Sequence, residues 1–346
     1  MPDVRVLGPF PPPFGGVALH CVRLLEMLGR HGVDAHGSSL GGIPSGLQDI
    51  RKWKPWQELR RVPTHYHTDE GNHRWARMLG SIWNVRKTPY IVSVHSFRER
   101  QEFVDRHVRE ELSNVYGRAR VIIAISDEVA DSVSSTLRIP RSRITTIASN
   151  LPISQWEQNA VLHEDIAREW KRAPVKLLAN AGRLVSYRGE DLYGLDVLVR
   201  AFRAIDDPSI ALCLVLGHVV NADIDANLRS LYEGDNRITI IRGLQSPILP
   251  LVKVADIVIR PTRTEGGPSL TLSEALELGT WAIGSDCVPR PEGCILFQSG
   301  NHLNLSQILR EAIEQVQSGA IPMVLPNLSD TYQAVLKAYQ IAEFLK

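Results

Sequence analysis

The chain has 346 residues, of which 44% are hydrophobic and 22% are charged, and this length and composition predict a globular protein of two domains. Its charges nearly cancel at a net +1, which argues against the basic surface of a nucleic-acid-binding protein. No apolar run approaches the ~20 residues of a spanning helix. The N-terminus lacks the pattern of a signal peptide and the four cysteines form no CxxC pair, so we expect a cytoplasmic protein.

The first part of the chain alternates apolar strands with amphipathic helices. The strand "VRVLGPF" leads through a proline-rich loop into the helix "GVALHCVRLLEMLGRHG". Gly15 and Gly16 open that helix and could face a phosphate, although the GxGxxG dinucleotide fingerprint is missing. The strands "YIVSVHSF", "RVIIAIS" and "RITTIASN" follow, with the helix "SDEVADSVSSTL" among them. Residues 1–150 therefore predict a Rossmann-like domain with a parallel sheet.

A basic segment with two tryptophans interrupts this series. In "IRKWKPWQELRR", residues 50–61, arginines and lysines alternate with Trp53 and Trp56. Basic residues beside tryptophans suit the surface of an anionic membrane. A solvated and partly packed loop is the alternative, so the segment predicts peripheral membrane contact or an ordinary surface.

Histidines gather at the ends of two strands. His95 ends the strand "YIVSVHSF", where a functional side chain would stand, and "THYHTDEGNH" holds His65, His67, Asp69 and His73. His65 and His67 would share one face of a strand. The spacings match no zinc pattern, so we expect polar residues at a strand end and no metal.

The second half begins a new alternation after a polar connection. Residues 151–174 are predicted to link the domains, and residues 175–328 form a second βαβ series. After the strand "VKLLAN", Arg183 and Arg188 lie in a predicted loop, where they would hold an anion or simply be surface residues. Residues 329–346 predict an amphipathic helix at the end of the chain.

The stretch "RTEGGPSLTLSEALELG" joins the strand "ADIVIRPT" to a helix. Gly266 and Gly267 let a diphosphate approach the backbone, and a helix N-terminus beyond them offers unpaired amides. Glu274, one turn into the helix, could bind a sugar hydroxyl, and Glu265 could bind a second sugar. The alternative is a plain turn followed by a solvated helix residue.

Together these stretches resemble the retaining glycosyltransferases of family 4. The likeness runs from "PPPFGGVALHCVRLLEMLGRHG" through "NAGRLVSYRGED" to "RPEGCILF", and the stretch between the two glutamates is its most specific part. It implies an α/β structure of the GT-B fold, in which two Rossmann-like domains with parallel sheets face each other across a cleft. It also implies a nucleotide diphosphate sugar as donor and no metal or other cofactor.

The resemblance assigns roles only to matching positions. Arg183 and Arg188 would stabilise the departing diphosphate, His95 would face the donor sugar or the reacting centre, and Glu265 would contact the sugar. Glu274 would hold the ribose of the donor. The remaining donor-binding positions would be Gly15, Gly16, Gly266, Gly267, Pro268, Ser269, Leu270, Thr271 and Leu272.

The chain departs from the family pattern in three places. Eight residues, where seven are usual, separate Glu265 from Glu274, so Glu265 is expected to be displaced or the turn to bulge. Arg188 stands where lysine is usual and is followed by an insertion of about five residues, from Gly189 to Tyr193. The region after "RPEGCILF" is short, so a trimmed second domain is expected.

The predicted activity is transfer of a glycosyl unit with retained configuration. The acceptor would be a saccharide or a lipid-linked molecule in bacterial polysaccharide or glycolipid assembly, at the inner face of the membrane. A nucleotide-sugar epimerase of the same fold and a catalytically silent nucleotide-binding protein are the alternatives. An NAD-dependent oxidoreductase is disfavoured by the missing GxGxxG.

Overall fold

The structure is a computed structural model that describes residues 4–68, 73–97, 105–322 and 329–344. These residues divide into two compact units, the first running to Ser154 and including the C-terminal helix, the second beginning at Gln155. Each unit contains one parallel sheet with helices, which confirms the α/β class expected from the alternating sequence pattern. Among the described residues, no helix has both the length and the apolar character needed to cross a bilayer.

The first unit is built on a seven-stranded sheet whose paired strands are all parallel. Its strands are β1 (Val4–Gly8), β2 (Ala35–Ser39), β3 (Ile50–Lys52), β4 (Thr64–Thr68), β5 (Tyr90–Val94), β6 (Val121–Ala124) and β7 (Ile144–Thr146). Its first helices are α1 (Gly16–Arg30), α2 (His73–Arg86), α3 (Arg106–Arg118) and α4 (Asp127–Leu137). The strand order β3-β2-β1-β4-β5-β6-β7 reverses between β1 and β4. Ligands of such sheets bind beyond the carboxyl ends of the strands at this point.

Local sequence accounts for these elements. The strands are short apolar runs that are buried along most of their length, as expected for a sheet covered on both faces. Helix α4 begins where Ser126 caps it, its Oγ accepting a hydrogen bond of 3.2 Å from the amide of Val129. The sequence predicts this cap, because Ser126 is a residue of N-cap type followed by acidic residues in the first turn, and the structure confirms it.

The second unit repeats the plan with a sheet of six parallel strands. Its strands are β8 (Val175–Leu184), β11 (Ile210–Val219), β12 (Ile238–Arg242), β13 (Ile257–Arg260), β14 (Trp281–Ser285) and β15 (Ile295–Phe297), with β9 (Ser186–Tyr187) and β10 (Glu190–Asp191) forming a small hairpin. The strand order is β12-β11-β8-β13-β14-β15, which reverses between β8 and β13. Its helices are α5 (Gln155–Gln158), α6 (Arg168–Arg172), α7 (Leu195–Arg203), α8 (Ala222–Tyr232), α9 (Leu249–Val252), α10 (Leu270–Glu277) and α11 (His302–Gln317).

The predicted connection 151–174 contains two short helices of its own, α5 and α6. Trp170 of α6 is fully buried in the core of the second unit, and its indole donates to the carbonyl of Leu177 at 2.9 Å. Most of this polar stretch therefore packs as part of the second unit.

The C-terminal helix α12 (Ser329–Ile341) belongs to the first unit. Tyr339 is fully buried, and its hydroxyl lies 2.8 Å from Nδ1 of His65 on β4. This contact ties the end of the chain to the middle of the first sheet.

Candidate active site

The loop between β13 and α10 lies at the point where the second sheet reverses its strand order. It holds Glu265 to Ser269, the stretch that the sequence singles out. Gly194 makes room for the start of this loop, because a Cβ there would lie 1.9 Å from the carbonyl oxygen of Pro261. Gly194 also has a φ of +64°, so a side chain would be disfavoured twice.

Helix α10 begins at Leu270, in agreement with the start near Ser269 or Leu270 that the sequence predicts, and Ser269 occupies its N-cap without a side-chain hydrogen bond. The amides of Leu270, Thr271 and Leu272 donate no backbone hydrogen bond to any described residue. The first turn contains no acidic side chain that would offset the positive end of the helix dipole. These donors suit an anionic group such as a phosphate.

Glu274 lies further along the same helix and is only 2% exposed. It is therefore not the solvated helix residue that the alternative interpretation expected. A carboxylate is rarely buried without a polar role. Its position is compatible with a ligand-binding role in the second unit.

Glu265 is held by two arginines in the same unit. Its Oε1 accepts hydrogen bonds from Arg260 at 2.7 and 3.0 Å, and its Oε2 accepts one from Arg290 at 2.5 Å and one from Thr262 at 3.2 Å. Burial alone would raise the pKa of Glu265, but Arg260 and Arg290 outweigh it and hold that pKa below its usual value. The carboxylate is thus ionised and engaged with protein groups.

A third arginine joins the loop to the hairpin β9–β10. Arg263 makes a two-pronged ion pair with Asp196 at 2.8 and 3.0 Å and donates to the carbonyl of Asp191 at 2.7 Å. The predicted insertion from Gly189 to Tyr193 therefore supplies β10 and the segment to which Arg263 is bound. Arg188 lies in the hairpin turn with a φ of +52°, exposed, and its guanidinium is 5.3 Å from the ring of Tyr187.

The predicted loop position of Arg183 is wrong. Strand β8 continues to Leu184, and Arg183 pairs with His218 of β11 in the parallel ladder. The partner strand on the other side, β13, pairs with β8 only as far as Ala179, so the last residues of β8 extend past it. Arg183 is exposed there and makes no hydrogen bond or ion pair within the described residues.

In the first unit, Gly15 and Gly16 are exposed at the start of α1, as the sequence predicts. Gly15 is the N-cap in extended conformation, and a Cβ there would meet nothing within 4 Å. The helix follows β1, one of the two strands at the point where the first sheet reverses. This backbone is open to a ligand.

His95 follows β5 and is 6% exposed. Its Nε2 lies 3.0 Å from Nδ1 of His67, and its ring packs edge-on against His20, with centroids 4.8 Å apart. His65, the other histidine on this face of β4, uses one nitrogen for Tyr339 and the other for Ser93, both at 2.8 Å. Asp69 and the side chain of His73, named with these residues in the sequence, lie outside the described part of the structure.

Burial keeps this histidine cluster neutral. Desolvation, followed by the positive charge of neighbouring groups, lowers the pKa of His65 to about 3 and the pKa values of His67 and His95 well below 6.5. Desolvation and Arg23 lower the pKa of His20 to about 4, although its hydrogen bond to the carbonyl of Ser149 acts in the opposite direction.

Sequence inspection does not identify His20, Arg260 or Arg290 as site residues. His20 carries a signal, because it lies three residues after Val17 and four before Leu24 on the apolar stripe of α1. Arg260 also carries a signal, because it is a charged residue at the end of a buried strand. Arg290 carries no signal in the sequence, because only the folded structure brings it next to Glu265.

Replacing Glu265 by glutamine tests whether its ion pairs support the loop. Arg290, whose side chain is 1% exposed, would lose its charged partner, and we expect the free energy of unfolding to fall by about 2 kcal/mol. Thermal denaturation of the variant measures this, with Glu292→Gln, an exposed neighbour, as the control that should change little. An unchanged melting temperature together with a raised KM for donor would instead show direct sugar contact by Glu265.

This chain is similar to one family model and to several solved structures. Residues 175–315 match a family model described as "Glycosyl transferases group 1". A comparison with curated protein sequences finds no significant match. The chain is similar to the solved structure of HepE from Anabaena in complex with UDP and glucose, at 13% identity over 99% of this chain and 98% of that chain, with a TM-score of 0.68.

Two further solved structures are similar over nearly their whole length. One is a glycosyltransferase from Rickettsia africae, at 13% identity over 98% of each chain with a TM-score of 0.70. The other is the catalytic domain of starch synthase IV from Arabidopsis thaliana bound to ADP and acarbose, at 11% identity over 99% of each chain with a TM-score of 0.66. These similarities confirm the predicted GT-B fold. Membership of family 4 and retention of configuration stay predictions.

Proposed function

We propose that the protein transfers a glycosyl unit from a nucleotide diphosphate sugar to an acceptor hydroxyl, with retention of the anomeric configuration. The observation that carries this proposal is the set of groups at the strand reversal of the second sheet: the buried Glu274, together with amides at the start of α10 and the guanidinium of Arg183, for which the described residues provide no hydrogen-bond partner. Amides and a guanidinium suit a diphosphate, and a carboxylate suits ribose hydroxyls. The family match over residues 175–315 and relatives of the same fold solved with UDP or ADP support it.

The difficult step is departure of the diphosphate, since negative charge builds on the leaving oxygen while positive charge builds on the sugar ring. The amides of Leu270 to Leu272 and the guanidinium of Arg183 would stabilise the leaving oxygen as its charge develops. Arg188, exposed at the hairpin turn, would add a second positive charge. The protein itself thus supplies the positive charge that this departure needs, and we propose that no metal takes part in it.

We propose that the configuration is retained without a double displacement. A double displacement would need a carboxylate free to attack the sugar, whereas the carboxylate of Glu265 is engaged by Arg260 and Arg290. We therefore favour a front-face reaction, in which the bond from the sugar to the diphosphate breaks as the acceptor oxygen bonds to the same face. The departing diphosphate takes the acceptor proton.

Release of nucleotide diphosphate tests the proposal directly. The full chain is incubated with a panel of UDP-, GDP- and ADP-sugars, with and without saccharide and lipid-linked acceptors, and nucleotide release is measured. Release that depends on an acceptor, with a product of retained configuration, is the expected result. Conversion of the sugar without release would show an epimerase, and donor binding without turnover in any mixture would show a silent binding protein.

We also propose that residues 50–61 contact an anionic membrane surface from the cytoplasmic side, which would bring a lipid-linked acceptor to the enzyme. Trp56 is 61% exposed and Leu59 is 68% exposed, and exposed basic residues surround them. The segment is anchored from beneath by Glu58, which accepts hydrogen bonds from Arg5 at 2.7 and 2.9 Å. Trp53, expected to share in membrane contact, instead donates to Glu58 at 2.8 Å and packs inward.

The double substitution Trp56→Ser and Leu59→Ser should lower binding to vesicles of anionic lipid by at least tenfold, because two exposed apolar side chains no longer enter the interface. Sedimentation with vesicles measures the effect. Val85→Ser with Val161→Ser removes two side chains that are 84% and 85% exposed elsewhere and serves as the control. Equal sedimentation of both variants and the unmodified chain would refute the contact.

A further inference from the structure

Three buried histidines from separate elements converge at the strand reversal of the first sheet. His20 comes from α1, His67 from β4 and His95 from the residue after β5, and they are 5%, 0% and 6% exposed. One ring nitrogen of each lies within 4.8 Å of the corresponding nitrogens of the other two. This group differs from the one that the sequence suggests, which combined His65 and His67 with Asp69 and His73.

We propose that His20, His67 and His95 bind one divalent transition-metal ion, of the class of Zn²⁺, Co²⁺ or Ni²⁺, through three imidazole nitrogens. Imidazole is the common ligand for these ions, and three histidines leave a fourth position open to water or another small ligand. No carboxylate or thiolate is needed for such a site.

The spacing of the rings fits the geometry of this ion class. Three imidazoles bound tetrahedrally at about 2.0–2.1 Å would have ligating nitrogens roughly 3.3 Å apart and ring centroids roughly 5 Å apart. The centroids of His20, His67 and His95 lie 5.2, 4.8 and 5.4 Å apart. The nitrogens of His67 and His95 lie 3.0 Å apart, so only small side-chain shifts are required.

The hydrogen bonds of the cluster also point to an ion. Nδ1 of His20 bonds the carbonyl of Ser149 at 2.8 Å, which is how metal-binding histidines are commonly oriented, and this leaves its Nε2 for the ion. The ligating nitrogens would then be Nε2 of His20, Nδ1 of His67 and Nε2 of His95, since the last two already face each other at 3.0 Å. The depressed pKa values of the three rings keep them in the neutral form that binds metals.

His65 provides the matched control within the same cluster. It is equally buried, and its ring is 4.1 Å from that of His67, but both of its nitrogens are already bound, to Tyr339 and Ser93. The proposal therefore predicts that His65 contributes no ligand, although it is the histidine nearest in sequence to His67.

The experiment titrates the full-length, tag-free chain with Co²⁺ at pH 7 after treatment with a chelator. We expect one ion per chain with the intense visible absorption of tetrahedral cobalt, displaced by Zn²⁺. His20→Gln and His95→Gln should each weaken cobalt binding at least a hundredfold, whereas His65→Gln should change it by less than threefold. Because His95 also has a proposed part in sugar transfer, absorption and stoichiometry, not activity, are the readout.

If a histidine variant does not fold, the unmodified chain still tests the proposal. X-ray absorption of the cobalt-loaded, unmodified chain should show three imidazole ligands, whatever the variants do. The proposal is overturned if the unmodified chain shows no tetrahedral cobalt spectrum, if fewer than three imidazoles are seen, or if binding survives in folded His20→Gln protein.

Discussion

Replacing Arg183 by alanine is expected to lower kcat for glycosyl transfer by about 10²–10³-fold while KM for the nucleotide sugar changes only a few-fold. A loss of kcat of this size is found when one preorganised hydrogen-bond donor to a developing anion is removed. Arg183 lies exposed at the carboxyl end of β8, and its side chain makes no hydrogen bond or ion pair within the described residues, so its loss should cost little stability. The effect falls on kcat because the charge it meets appears mainly as the diphosphate leaves.

Glu274→Gln is the matched comparison, since its proposed contact with ribose exists before and during the reaction. It should raise the donor KM or Kd by about tenfold or more, as for a lost hydrogen bond to a charged group, with a smaller change in kcat. Steady-state kinetics and calorimetric titration with the nucleoside diphosphate separate the two cases. Arg172→Ala, an arginine whose side chain is 67% exposed in the same unit, controls for the loss of a positive charge.

Equal losses of kcat and donor affinity in Arg183→Ala would contradict the proposed division of roles. In that case Arg183 would bind the diphosphate equally in the ground state and the transition state. Arg183→Lys helps here, because it keeps the charge and loses the two-pronged geometry. Recovery of most of the rate would show that charge, more than geometry, stabilises the leaving group.

Local sequence pattern was sufficient to predict those features of the fold that residues close together in the chain determine. The start of α10 at Leu270 and the cap at Ser126 follow from residue types within one turn. The two parallel sheets follow from the alternation of buried strands and amphipathic helices. The GT-B assignment needed the resemblance as well, because alternation alone does not distinguish one doubly wound fold from another.

Pairing between distant strands explains the misplacement of Arg183. Gly182 looks like a loop residue, yet it lies in β8 against β11, where a Cβ on Gly217 would approach its carbonyl oxygen to 2.0 Å. Glycines here permit close packing of two strands and do not end one. No property of the segment itself reveals this, because the partner lies far along the chain.

The two clusters that the sequence did not reveal are also long-range. Glu265 is neutralised by Arg290, which is 25 residues away, and the extra residue between Glu265 and Glu274 gives no hint of this pairing. His67 and His95 are 28 residues apart, and His20 reaches them from a different layer. Whether a charged or polar group can be buried depends on partners that are distant in the chain. A single sequence does not show which residues these partners are.

The buried histidines also make the first unit sensitive to acid. In the metal-free chain, unfolding should become easier by about 5 kcal/mol between pH 7 and pH 5.5. An unfolded histidine binds a proton near pH 6.5. In the folded unit, burial lowers the pKa of His20 to about 4 and of His65 to about 3, and lowers those of His67 and His95 well below 6.5.

The direction follows from proton counting. Below pH 6.5 the unfolded chain binds more protons than the folded one, so stability falls as pH falls, whereas above about pH 7 these groups contribute no slope. Between pH 7 and pH 5.5 each histidine lowers the stability by about 1.3 kcal/mol, because the full slope of about 1.4 kcal/mol per pH unit is reached only well below pH 6.5, and the four together lower it by about 5 kcal/mol. Since a domain is stable by only ~5–15 kcal/mol, the first unit should begin to unfold near pH 5.5.

Pulse proteolysis in urea, with cleavage sites mapped by mass spectrometry, measures this for the first unit within the intact chain. A chelator is present throughout, because a bound metal would hold the histidines unprotonated. His65→Gln should reduce the slope by about a quarter, since one of four titrating groups is lost while an amide keeps a polar partner for Tyr339 or Ser93. His163→Gln replaces a side chain that is 74% exposed in the second unit, and it should leave the slope of stability against pH unchanged. A first unit equally stable at pH 7 and pH 5.5 would mean that the folded cluster accepts protons freely, and the buried, neutral arrangement of these rings would then be wrong.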